Sequence, residues 1–428
     1  MDFLYTYGPA AIAWGVAGVW CVIAVVYVRA CRSQSPLRPL AGPSCPSELP
    51  GLSVVVAAKN ESCCIETCIR SLFRQDYPGL EVVAVNDRST DDTGEILNRL
   101  AFEFAGRLRV VHVSTLPSGW FGKPHALELG LAQARGSLVC FTDADCEFLA
   151  PSAMRTVAAE MNRREMDLLS IAARYTMTSL RETVAVPCCS EAILAWLRPE
   201  RVSDPRWPEA FANGAFIMVR RAPFEAIGGW GCVRSRISED LELARAAKRA
   251  GLRIGVAQGE GFYQTAAYRT FRDSWNGWSR IFNGALTPRQ LAITLARMSV
   301  LFLLPLGATL FGAANAVRTG SLEWLTHAAG IGFAIAFTIR SAIDVVMFRL
   351  VGAPIVATLL APLGRLFVMA ASARALLSHL GLARTQWRGT TFVSGRIVTP
   401  PPVEARLRIL RTPAAPVAVP LEAVAGRS

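Results

Sequence analysis

The chain has 428 residues, 52% of them apolar, and a formal charge of +12. That length and hydrophobicity exclude one small domain and a wholly soluble chain, and imply a core-forming domain joined to membrane segments. The positive charge suits nucleic acid, anionic lipid or a phosphorylated substrate, but no zinc-finger or RNA-binding signature is present, and beside apolar spans basic residues favour lipid head groups.

The first apolar stretch, about Ala10 to Val28, has the length that crosses a bilayer, roughly 17–25 residues. Asp2 precedes it and Arg29, Arg32 and Arg38 follow, a flank that argues against a cleaved signal peptide and for a cytosolic domain after the span. Ser33 to Pro50, rich in Pro and Ser, reads as a linker. From Gly51 the pattern alternates. Strands at Leu52–Ala58, Val82–Val85, Val110–Val113 and Leu138–Thr142 are separated by helices over 61–74, Asp92–Phe104 and Pro124–Ala134, which predicts a mainly parallel sheet with helices on both faces.

Apolar composition returns near Leu291, with spans expected at Met298–Val317, Leu325–Met347 and Ala353–Ala373. Arg297, Arg340, Asp344 and Arg365 flank or interrupt them; such charges must snorkel, pair or line a cavity, or else one segment lies in the interface. The Pro/Ala-rich stretch from Pro400 is expected to be disordered. The chain therefore divides into an anchor at 1–32, a linker at 33–50, an α/β domain at 51–290, membrane or interfacial helices at 291–382, and a partly disordered tail at 383–428. The eleven cysteines are odd in number, and Cys63, Cys64, Cys68, Cys188 and Cys189 lack CxxC spacing, so reduced thiols are expected.

In an open α/β sheet, ligands bind outside the carboxyl ends of the strands. Polar clusters fall at those ends: Asn60-Glu61, Asn86-Asp87 and Asp143-Ala144-Asp145. Two carboxylates one residue apart can hold a hard divalent cation while leaving positions for phosphate oxygens. Four scattered histidines disfavour a zinc-type site and favour oxygen-ligated Mg²⁺ or Mn²⁺. Asp240 stands in a helix start, where Ser238 can cap and Glu239 and Asp240 favour the dipole. Lys123 is one of three lysines and reads either as a phosphate contact or as a solvated surface residue.

Taken in order, V-V-V-A-A-K-N-E (54–61), N-D-R-S-T-D-D-T (86–93), G-W-F-G-K-P-H-A-L (119–127), D-A-D (143–145) and S-E-D (238–240) resemble the family 2 glycosyltransferases with a GT-A fold, a Rossmann-like α/β domain. The resemblance spans Gly51 to about Gly284, and order and spacing carry it. It implies that Ala58, Glu61 and Asp87 border the base and ribose of a UDP-sugar, Asp87 accepting from the uracil ring nitrogen. Asp145 would be the principal metal ligand with Asp143 beside it and the ribose, Lys123 would meet the donor phosphates, and Asp240, preceded by Glu239, would be the catalytic base of an inverting transfer.

Residues 211–230 look like that family's segment beneath donor sugar and acceptor, with Asn213 a hydroxyl contact or merely part of a strand and turn. The S-W-N-G-W-S-R stretch (274–280) lacks the Gln and Arg of the Q-x-x-R-W motif of processive synthases. With Q-W-R-G (386–389) it is more like the bacterial enzymes that glycosylate ceramides, hopanoid-associated lipids and carotenoids, which makes Trp278 and Arg280 acceptor-site residues. Trp275, Trp278 and Arg280 could equally form an interfacial belt. The resemblance thus implies one sugar transfer to a lipid hydroxyl by a multi-pass protein of the inner (plasma) membrane. A processive synthase and a non-catalytic nucleotide-sugar-binding protein are the rival readings, whereas the absence of G-x-G-x-x-G after the first strand argues against a dinucleotide oxidoreductase.

Overall fold

The structure is a computed structural model that describes all residues except 1, 34–35, 41–48, 173, 260, 267, 269, 322–326, 388–389, 394–395, 398–406 and 411–428. Most of the expected linker and tail lies outside the described residues, as do Cys45 and the side chain of Cys31.

The chain begins with one long helix, α1 (Asp2–Ser33). Strand–helix units follow: β1 (Leu52–Ala58) and α2 (Ile65–Phe73), β2 (Glu81–Asp87) and α3 (Thr93–Glu103), β3 (Leu108–Val113) and α4 (Gly122–Gln133), then β4 (Leu138–Asp143). Beyond them come β5 (Cys146–Phe148), α5 (Ala153–Arg163), β6 (Leu168–Ala172), β7 (Arg174–Thr176) and α6 (Leu180–Leu197). The α/β part closes with β8 (Phe216–Arg220), α7 (Arg221–Ala226), α8 (Glu239–Arg249), β9 (Ile254–Gln258), β10 (Tyr263–Ala266) and α9 (Phe271–Ala285).

The main sheet runs 3-2-1-4-8-6-9. β1 is parallel to both β2 and β4, so the order turns back at β1 and opens a crevice at the carboxyl ends of β1 and β4. Val54 and Val56 point into one hydrophobic cluster and Val55 into the other, the period-2 pattern of a strand buried on both faces. β8 enters antiparallel between β4 and β6, which makes the sheet mixed. A small second sheet, β5-β10-β7, packs beside the crevice.

Among the described residues, four helical segments are long and apolar enough to cross a membrane: Gly8–Arg29, Pro288–Thr319, Ala328–Val351 and Ile355–His379. The second is compound. α10 (Pro288–Met298), with a Thr287–Gln290 capping box, passes through a π-helical turn at Ser299–Leu303 into α11 (Leu304–Thr319). α12 (Ala328–Val351) lies along α1 with Val16, Ala17 and Trp20 against Ala336, Ile343 and Met347. α13 (Ala361–His379) packs instead against α6, α9 and α10. These helices begin or end up to ten residues from the expected spans.

The chain's last described segments add strands at its edges. β11 (Thr385–Trp387), β12 (Thr390–Val393) and β13 (Arg396–Ile397) form an antiparallel sheet. In the stretch expected to be disordered, β14 (Leu407–Leu410) pairs antiparallel with β3 and covers the main sheet's edge. That part of the expectation is corrected: the sequence Leu-Arg-Ile-Leu is short, but an open strand edge gives it a backbone partner.

Candidate active site

The crevice at the ends of β1, β2 and β4 gathers most of the residues singled out above. After β1, Asn60 adopts a left-handed conformation (φ 56°) and its Oδ1 accepts from Thr90 N at 2.8 Å, while Glu61 N donates to Thr93 Oγ1 at 2.8 Å. Asp91 ties the same loops together. Although burial opposes its charge, hydrogen bonds from Thr93 and Ser62 hold its pKa down to about 2.

At the end of β2, Asp87 is buried and gripped by its neighbour Arg88, Nε to Oδ1 at 2.7 Å and a second nitrogen to Oδ2 at 2.9 Å. Gly122, opening α4, lets the chain pass this pair: a Cβ there would sit 2.6 Å from Asp87 Oδ2. Arg88 escaped the sequence reading although it adjoins Asp87, because adjacency gives no hint that its side chain turns back.

The centre of the site is Lys123, one residue further into α4. Its Nζ lies 2.6 Å from Asp143 Oδ1 and 3.3 Å from Glu239 Oε1. Burial works against the ammonium, but Asp143, Glu239 and Asp240 outweigh it and hold the lysine firmly charged. The surface reading of Lys123 is therefore set aside. Asp240 accepts from Gly214 N at 3.0 Å and Leu241 N at 2.8 Å, and burial followed by the charge of Glu239 raises its pKa to about 6. Arg280 bears on the same carboxyl electrostatically and donates to Ile237 O at 3.2 Å.

Asp145 is raised to about 7, by burial first and then by the charges of Asp143 and Glu61. Carboxyl groups so crowded favour a cation among them, and Lys123 already stands beside Asp143 in that capacity. The only set of three His, Cys, Asp or Glu ligand atoms within 4.8 Å of one another among the described residues is Glu61, Cys63 and Cys64. Asp143 and Asp145 could give two carboxylate ligands, all oxygen, to a hard ion whose other ligands come from a phosphorylated ligand or water.

Three expectations change. Ala58 is buried in the core, so only its backbone can face a ligand. Trp278 is 4% exposed, packed with Leu241 and Phe282 and edge-on to Tyr268. Neither acceptor contact nor interfacial belt suits it, because its ring fills the space under the start of α8. Asn213 accepts from Ala215 N at 3.1 Å and its own N–H donates to Ser170 Oγ, so its carbonyl end belongs to the turn that carries Gly214.

Tyr175, not singled out by sequence, is held strongly neutral by burial, then by Tyr268 and the charges of Asp145 and Asp143. Two residues on, Met177, Leu180, Val356 and Leu359 line an apolar groove of about 490 Å³. The nine cysteines that can be described are free, five of them buried.

Residues 53–228 match the family described as Glycosyl transferase family 2. The chain is 29% identical over 234 residues to a beta-monoglucosyldiacylglycerol synthase of Synechocystis sp., covering 54% of this chain and 47% of that one. It is 25% identical over 231 residues to a 4,4'-diaponeurosporenoate glycosyltransferase of Staphylococcus aureus, covering 54% and 60%. The chain thus spans about half the length of the curated relatives it matches. Among solved structures it is similar to the mannosyltransferase PcManGT from Pyrobaculum calidifontis in complex with GDP-Man and Mn²⁺, 19% identical with a TM-score of 0.48, covering 86% of this chain and 99% of that one.

Proposed function

We propose, from the premise that residues 53–228 are a family 2 glycosyltransferase domain, that this chain transfers one sugar from a UDP-sugar to a hydroxyl of a membrane lipid, with inversion. The observation that carries the reading is the placement of Lys123 between Asp143 on the donor side and Glu239 and Asp240 on the other.

In this reading the nucleotide lies across the ends of β1 and β2, with Asp87 turning from Arg88 to the uracil ring nitrogen and Glu61 beside the ribose. Lys123 exchanges part of its carboxylate contact for the donor's diphosphate oxygens, as a flexible point charge can. Asp143 and Asp145 would hold Mg²⁺ or Mn²⁺, which supplies positive charge to the leaving diphosphate. Asp240, raised but ionised above pH 6, takes the proton of the acceptor hydroxyl as that oxygen bonds to the anomeric carbon. The bond from carbon to UDP breaks on the opposite face, and UDP leaves with the electron pair.

The lipid acceptor is supported by the four apolar helical segments and by the apolar groove lined by Met177, Leu180, Val356 and Leu359. The two relatives are named as a beta-monoglucosyldiacylglycerol synthase and a 4,4'-diaponeurosporenoate glycosyltransferase. Arg29, Arg32 and Arg38 after the first span favour a cytosolic catalytic side in a multi-pass inner-membrane protein.

The test is a panel of UDP-sugars given to purified protein in lipid nanodiscs with Mn²⁺ or Mg²⁺, with products extracted into organic solvent and weighed by mass spectrometry. One sugar added to one lipid, abolished by a chelator and by Asp145→Asn, is expected. Release of UDP without any glycolipid, for every donor, would remove the lipid-acceptor reading.

A further inference from the structure

Away from the transfer site, a cavity of about 70 Å³ lies among α1, α6, α10, α12 and α13. Its wall brings together three guanidinium groups, Arg297, Arg340 and Arg365, and one carboxylate, Glu191, with Trp20 and Trp196 beside them. Arg340 donates to Glu191 at 2.5 Å through one terminal nitrogen and to Asp344 at 2.6 Å through the other, which also reaches Glu191. Arg365 pairs with the same Asp344 oxygen. Arg340 and Arg365 also lie over the rings of Trp20 and Phe302, at 4.9 and 5.0 Å.

Two carboxylates serve three guanidinium groups here. Arg297 is exposed at the cavity and has no carboxylate within 4.0 Å among the described residues. The buried Nε of Arg340 has no hydrogen-bond partner among the described residues. Charges in such a setting are expensive unless paired, and a buried donor without an acceptor adds to the cost. One monovalent anion with several acceptor oxygens would settle both deficits, and guanidinium forks match phosphate oxygens well.

The walls of the cavity indicate where such an anion comes from. Glu191 is contributed by α6 of the α/β unit, and the far end of α12 touches that unit through Gln258 Nε2 and Leu350 O. The cavity therefore lies where the α/β unit packs against the apolar helices, and Leu304, Leu310 and Phe311 are exposed on the adjoining α11. Basic pockets between apolar helices suit anionic lipid heads.

We propose that this cavity binds the phosphodiester of an anionic phospholipid, held as a resident lipid distinct from the acceptor. The reading does not depend on sugar transfer, and it is tested without it. The full-length protein is delipidated in detergent, and its melting midpoint is followed while phosphatidylglycerol, phosphatidylcholine or inorganic phosphate is added. Native mass spectrometry counts the lipids retained.

Phosphatidylglycerol is expected to raise the midpoint with one molecule kept per chain, and Arg297→Gln to weaken that response at least tenfold in lipid concentration. Arg318→Gln, an exposed arginine at the end of α11 away from the cavity, should respond like the wild type. An equal response to phosphatidylcholine or to inorganic phosphate, or to the two variants alike, would overturn the proposal.

Discussion

In the proposed reading, Asp240 and Lys123 turn two helix starts into a reactive site. Glu239 and Asp240 are what the first turn of α8 favours electrostatically, yet Glu239 is buried, Asp240 is half-buried, and the two carboxyl groups are crowded. A carboxyl raised to about 6 adds its full stabilisation only when protonated, below its ordinary range near 3.8, and loses it as pH rises through 6. At pH 7.5 the charged Asp240 therefore burdens the fold. Asp240→Asn is expected to keep or raise the melting midpoint at that pH while lowering transfer by roughly 10²–10⁴-fold, the usual worth of a general base. A variant that melts well below the wild type would show Asp240 to be structural instead.

The same chemistry sets the pH dependence. Transfer (kcat/KM) should fall below about pH 6 as Asp240 is protonated, and hold above it. Because the ammonium of Lys123 lowers the pKa of Asp240, Lys123→Met should move this acid limb to higher pH and raise the KM for the donor. An unmoved limb in a folded Lys123→Met protein would separate the two residues. The carboxylates of this site were legible in the sequence, since acidic residues at strand ends are chemically distinctive. Arg88 and Tyr175 were not, because one is recruited by a side-chain turn and the other by a second sheet.

At the scale of elements, what could be read locally was read. Runs such as Val54–Val56 carry strand propensity and double-sided burial, so the strands β1 to β4 stand within a few residues of expectation. The antiparallel entry of β8 between β4 and β6 has no local signal, because pairing direction is settled by the path of the chain through α6. Trp278 misled for a related reason: tryptophan suits both a membrane surface and a core, and only packing decides.

The π-helical turn at Ser299–Leu303 is another feature without a sequence mark. Its Leu301 carbonyl accepts from Trp20 Nε1 at 2.9 Å, linking α1 to the entry of α11. Trp20→Phe should cost about 1 kcal/mol of stability, the net worth of one hydrogen bond. Nearby, α1 and α12 approach so closely that a Cβ on Gly332 would lie 2.9 Å from Ala13 Cβ and 3.0 Å from its backbone. Gly332→Leu is expected to part the two helices, abolishing disulfide crosslinking between cysteines placed at positions 16 and 336. Undiminished crosslinking would place the helices further apart than described.

At the scale of the molecule, two bodies of chemistry meet along α6, α9 and α13. On one side, the turn-back of the sheet at β1 places acidic groups and Lys123 in a crevice; on the other, apolar helices carry a charged cavity at the boundary. α8 and α9 link them, for Leu241 beside Asp240 and Trp278 beneath it belong to one cluster with α6 and α13. A lipid hydroxyl delivered from the membrane would reach Asp240 through this junction.

The central claim is that Asp240 deprotonates a lipid hydroxyl while the donor is held by other residues. It is tested most directly by transfer of radiolabelled sugar into extractable lipid in nanodiscs, comparing wild type with Asp240→Asn at equal UDP occupancy. The account expects labelled glycolipid from the wild type, and a rate at least a hundredfold lower from a variant that binds UDP equally well. Transfer by Asp240→Asn at the wild-type rate, or label appearing only as free sugar or polymer, would contradict it.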